Sequence, residues 1–152
     1  MESQDNKPTA PAPGPKLPPY GQSINLEQAR RVAVAALAPA RANQWTMVVA
    51  IVDTGGHLVY LEKLDQTQVG SVEIAIAKAR SAAIFKRPTK MFQERLARGG
   101  EGLLVLQLKG AMPVEGGIPI VLDGKLIGAV GISGGSSAED EVCANAGAAA
   151  LT

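Results

Sequence analysis

"IPIVLDGKLIGAVGIS", residues 118–133, decides the fold. Two runs rich in Val, Ile and Leu flank Asp123-Gly124, a pair suited to a type I′ turn, in which both central residues take positive φ. So short a reversal joins neighbouring strands and forces them to pair antiparallel. The chain then continues as "GGSSAEDEVCANAGAAAL", where Ser136 with Glu139, or Ser137 with Asp140, supplies the capping box that starts a helix.

The four glycines at 128, 131, 134 and 135 invite comparison with phosphate-binding loops. A dinucleotide loop needs its glycines early in a parallel βαβ unit, and a P-loop needs Gly-Lys-Ser/Thr. Here they follow an antiparallel hairpin, no lysine comes after them, and Glu139, Asp140 and Glu141 occupy the first turns of the helix. Those carboxylates complement the helix dipole and repel a phosphate. Gly128 and Gly131 are therefore expected to permit close packing, and Gly134 and Gly135 to turn the chain.

Upstream, "NLEQ" places a cap at Asn25 and Gln28 three residues on. Leu26, Ala29, Val32, Ala33, Ala36 and Leu37 then recur at helical spacing. Pro39 should kink or end that helix. "TMVVAIVD" and "HLVYLEKL" read as two strands around Gly55-Gly56, a second hairpin. "GSVEIAIAKARSAAIF" returns to helical spacing, Pro88 interrupts it, and "TKMFQERLARGGEG" reads as another helix closed by Gly99 and Gly100. "AMPVEGG", residues 111–117, reads as a short edge strand carrying Pro113. The expected order is α-β-β-α-α-β-β-β-α: an α+β fold with a five-stranded antiparallel sheet flanked by helices.

Residues 1–23 hold six of the ten prolines and almost no large aliphatic side chains, which predicts a disordered Pro-rich N-terminal tail before a domain spanning 24–152. The 152 residues suit one domain with a substantial core, built from aliphatic residues because aromatics are only 3%. A net charge of +1 gives no general attraction to nucleic acid or to a membrane surface. No apolar run reaches the roughly 18 residues that cross a bilayer. No basic-then-apolar leader begins the chain, so a cytoplasmic location is the default, with a periplasmic or secreted one if a signal has been removed. The single Cys143 excludes an internal disulfide and an all-cysteine metal site.

"VAIVDTGGHLVYLEKLD", "GSVEIAIAKARSAAIFKRPT" and "VEGGIPIVLDGKLIGAVGISGGSSAEDEVCANAGAAAL" together resemble the GlcG/HbpS haem-binding family, related to the C-terminal domain of PduO-type corrinoid adenosyltransferases. The resemblance spans about Leu26 to Leu151. It implies a profilin- or PAS-like sheet, haem binding in sequestration, sensing or degradation, and homo-oligomers from dimers to octamers.

Haem requires an axial donor, an apolar slot and cations for its propionates. His57 is the one imidazole and reads either as the iron ligand or as an exposed hairpin-tip residue. Met47, Met91, Met112, Tyr20 and Tyr60 are alternative donors, whereas Cys143, set among alanines, reads as buried. Between Lys78 and Arg98 lie Lys78, Arg80, Lys86, Arg87, Lys90, Arg95 and Arg98 against Glu94 alone. Of these, Lys86, Arg87 and Lys90 gather at the Pro88 break. They read either as a dock for haem propionates or a small carboxylate, or as an ordinary solvated face. Enzyme signatures are sparse: no G-x-S-x-G elbow accompanies His57, and Asp53 and Asp123 begin glycine turns that favour Asp for local hydrogen bonding. An enzyme or accessory factor acting on a small organic acid, and a structural oligomeric module without cofactor, are the alternatives to haem binding.

Overall fold

The computed structural model describes residues 8–14 and 16–152. The Asp123-Gly124 turn forms with φ of 52° and 75° and joins β3 (Gly117–Leu122) to β4 (Lys125–Ser133). The second expected hairpin is also present, as β1 (Val48–Val52) and β2 (Leu58–Lys63). Four helices surround these strands: α1 (Leu26–Ala42), α2 (Ser71–Phe85), α3 (Thr89–Ala97) and α4 (Ser137–Ala148). Sequence-local signals start two of them. Asn25 with Gln28 caps α1, and Ser136 with Glu139 caps α4, both as complete capping boxes.

The sheet has the order β2-β1-β4-β3, with every neighbouring pair of strands antiparallel. It has four strands among the described residues, so the expectation of five is corrected. Residues 111–117 do not form an edge strand ahead of β3, which itself begins at Gly117. Pro113 lacks a backbone donor, and Gly110 and Gly116 take φ of 92° and 118°, outside strand geometry. Three donors of this segment go to side chains on other elements, Met112 N–H to Ser81 Oγ, Glu115 N–H to Gln93 Oε1 and Gly116 N–H to Glu141 Oε2, while Ala111 and Val114 N–H turn back to Leu108 O and Met112 O. The preceding "GEGLLVLQ" coils into a 3-10 helix, Gly100–Gln107, that the order above did not include.

Pro39 does not end α1, which runs on to Ala42. The proline falls near the helix end, and both the Asn43 N–H and its side-chain amide donate to Pro39 O. Residues 1–7 and 15 of the expected tail lie outside the described residues. From Pro19 the chain is hydrogen-bonded to β4: Leu126 N–H donates to Pro19 O, Gly21 N–H to Leu126 O and Ile24 N–H to Ile127 O.

Strand alternation divides the core. Val48, Ala50 and Val52 face α2, together with Ala129 and the α2 residues Ala75, Ala79, Ala82 and Ala83. Val49 and Ile51 face the opposite side with Val130, Ile132 and residues of α1 and α4. Covered on both faces, β1 is buried throughout, which explains its unbroken apolar run. The α2 side is lined by small residues, so that helix lies close to the sheet. The alanines of α2 and those of α4 beside Gly147 are thereby occupied within the subunit. No helix among the described residues is long and apolar enough to cross a membrane.

Candidate functional site

Three segments meet at the C-terminal end of α2. The first is the β1–β2 turn. Asp53 Oδ1 accepts the N–H groups of Gly55 and His57, each at 2.9 Å, and thereby fixes a tight loop. The loop lies against α2 at Gly56, where φ is 81° and an added Cβ would sit 2.8 Å from Arg80 Cγ and 3.3 Å from Ile84 Cγ2. The second is the N-terminal strap, whose Tyr20 Oη donates to Ala83 O at 2.8 Å. The third is the end of α2 itself, where Lys86 takes a left-handed conformation and sets its ammonium 4.2 Å from the centre of the Tyr20 ring. Burial raises the phenol pKa of Tyr20, favouring the neutral donor seen in the hydrogen bond.

His57 projects from the loop with its side chain 82% exposed and its Nδ1 3.3 Å from Asp53 Oδ1. The carboxylate makes no hydrogen bond to the ring; Asp53 Oδ1 is taken by the Gly55 and His57 backbone N–H groups. The imidazole is thus both an exposed tip residue and an available donor.

The cations named from sequence do not converge. Lys86 lies on the same end of α2 as the His57 loop. Arg87 turns away: its Nε donates to Phe85 O and its guanidinium lies 5.7 Å over Phe92. Lys90 pairs with Glu115 at 3.3 Å, and that contact holds its ammonium above the usual lysine range. Lys78, counted in the basic run, is buried and bonded to Asp140 at 2.8 Å. Arg80 is the neighbour of the His57 loop that the Pro88-centred cluster missed. Its position six residues before Lys86, across a helix from a glycine turn, is visible only once the turn is docked.

The alternative donors are differently placed. Met47 is fully buried, Met91 is 43% exposed, and the Tyr60 hydroxyl donates to Glu62 Oε1. Cys143 is buried, and desolvation lifts its thiol to about 11, which keeps it protonated. At the glycine-rich loop, Gly135 N–H donates to Asp140 Oδ1 and Ser136 N–H to Glu139 Oε1, so the helix's own carboxylates occupy the anion positions. Among the described residues no three His, Cys, Asp or Glu side chains gather to hold a metal ion.

Comparison with known proteins agrees with this architecture. A family model described as "Haem degrading protein HbpS-like" matches residues 24–149. Protein GlcG of Escherichia coli K12 is 36% identical over 110 residues, covering 72% of this chain and 81% of that protein. The crystal structure of HbpS superposes with a TM-score of 0.79 at 30% identity, covering 94% of this chain and 99% of that one. The crystal structure of a PduOC:heme complex gives 0.77 at 29% identity, covering 86% and 96%. With the match running from Ile24, where the sheet-bound strap ends, to just past α4, the chain belongs to the HbpS-like family.

Proposed function

We propose that the protein binds haem, with His57 Nε2 as iron donor and cations at the end of α2 receiving the propionates. The observation that carries this reading is the similarity to the PduOC:heme complex over 86% of the chain. Local geometry fits the group. An exposed imidazole stands 3.3 Å from Asp53, Lys86 and Arg80 flank its loop, and Ile84 and the Tyr20 ring supply apolar surface. Arg87 and Lys90, engaged by Phe85 O and Glu115, lie outside this set, which rests on Lys86 and Arg80.

Hemin titration of the full chain tests this. The wild type is expected to give a saturable Soret shift at one haem per chain, and His57→Ala to weaken it by about tenfold or more. A free-hemin spectrum persisting at equimolar protein contradicts the proposal, and an unchanged spectrum in His57→Ala removes that residue from it. Adding a reductant to the complex distinguishes sequestration, in which the Soret band persists, from degradation, in which it decays.

The protein is also proposed to form a homo-oligomer. Leu103, Leu104 and Leu106 of the 3-10 helix are 53–64% exposed, and Leu103 and Leu106 share one of its faces, exposed aliphatic surface of the kind that soluble chains cover by association. It carries no aromatic residue to anchor it in a lipid interface, which favours a second copy of the chain as its cover. Leu106→Glu is expected to lower the mass seen by light scattering at micromolar concentration. A wild-type monomer under those conditions contradicts the assembly.

A further inference from the structure

Arg87, Met91, Arg95 and Arg98 follow one another at intervals of four, four and three residues, which aligns them along one face of α3 and its flanks. Two cavities, of about 120 and 470 Å³, share Arg95 and Arg98 as common walls. The smaller is completed by Arg87 and Phe92, the larger by Leu104 and the turn at Gly99. Phe92 is a fixed floor, buried and packed edge-on against Phe85 at 5.4 Å.

Among the described residues, none of the guanidiniums of Arg87, Arg95 and Arg98 lies within 4.0 Å of a carboxylate, although Glu94 lines the smaller cavity and Glu101 the larger. Arg87 directs Nε to Phe85 O, which leaves its terminal nitrogens free of that bond. Three like charges drawn together without a partner repel one another, and an arginine fork matches a carboxylate with two parallel hydrogen bonds.

We propose that this cleft binds a small dicarboxylate, with one acid group between Arg95 and Arg98 and the other toward Arg87. The short carbon skeleton runs past Met91, whose exposed side chain lines the smaller cavity. All three arginines line the smaller cavity, and a ligand with two separated acid groups engages more of them than one with a single acid group. Glu94 lines the same cavity, and a compact dianion such as phosphate concentrates its charge beside that carboxylate, whereas a dicarboxylate divides its charge between two separated groups. The site is separate from the His57 loop, and its ligand is recognised whether or not haem binds.

Calorimetric titration of the full chain with succinate, acetate and inorganic phosphate is the test, with Arg95→Gln and Arg98→Gln alongside. The expected result is saturable succinate binding that weakens by about tenfold in each variant, consistent with loss of one charge-assisted pair. Acetate and phosphate are each expected to bind at least about tenfold more weakly than succinate. Circular dichroism of the variants is expected to match the wild type, so the loss is not one of fold. Absence of saturable succinate binding, undiminished binding in both variants, or phosphate binding as tightly as succinate overturns the proposal. Hemin affinity is expected to be unchanged in both variants, and a parallel fall would merge this cleft with the haem site and overturn its separate assignment.

Discussion

Gly131→Ala is expected to destabilise the protein by about 3 kcal/mol or more, a large part of the margin of a domain this size. Gly131 lies in β4 between Ala50 of β1 and Gly117 of β3, under the middle of α2. A Cβ there would run into Ala75 O and stand 2.5 Å from Ala79 N and 2.9 Å from Ala79 Cβ. Two of those three obstacles are backbone atoms, so no side-chain rotation relieves the clash, and α2 has to move off the sheet. Moving it opens the layer in which Ala75, Ala79 and Ala82 meet Val48, Ala50 and Ala129. Gly70→Ala is the matched control, since a Cβ there meets nothing within 4 Å; its cost is expected to stay near 0.5 kcal/mol. Urea denaturation of both variants gives the comparison. Similar midpoints would show that the close approach of α2 is not required for stability.

The contrast between these glycines explains what could be read in the chain. Local chemistry was legible: Asp123-Gly124 demanded its turn, Asn25 and Ser136 announced two helices, and β1 showed its two-sided burial as an unbroken apolar run. The close-packing role expected of Gly131 is met, with Ala75 and Ala79 of α2 lying directly against it. Residues 111–117 do not form the expected edge strand because partners on other elements set much of their structure. Ser81, Gln93 and Glu141 satisfy the donors that a strand would have paired. The site was legible in part for the same reason. His57 and Lys86 are each marked by neighbours in sequence, a glycine turn and a helix end. Arg80, by contrast, acquires its place only when the β1–β2 loop packs on α2. Lys78 shows the opposite error. Within its own helix it resembled one more surface cation, whereas its partner lies 62 residues away.

Lys78→Met is expected to cost about 3–5 kcal/mol at neutral pH, the usual penalty for orphaning a buried charge. Lys78 and Asp140 are 1% and 5% exposed, and the ammonium also donates to Ile132 O at 2.9 Å. Without it, Asp140 retains only the Gly135 N–H, at 3.0 Å, against its full desolvation. Burial already raises the Asp140 pKa above the ordinary carboxylate value, and the Lys78 hydrogen bond and charge hold that rise in check. Removing Lys78 therefore lifts it further. A carboxyl whose folded pKa exceeds its unfolded one contributes stability at low pH and loses it as pH rises through the folded value. On acidification the variant starts to take up its proton at a higher pH than the wild type does. The stability gap is consequently expected to narrow between the variant's raised value and the wild-type one. Lys78→Met combined with Asp140→Leu is expected to recover most of the loss, because an apolar pair leaves no charge to desolvate. Urea unfolding of the single and double variants at pH 7 and pH 5 reads all three effects. A gap that widens in acid, or a double variant no better than the single one, would show that the lysine acts by packing rather than by neutralising Asp140.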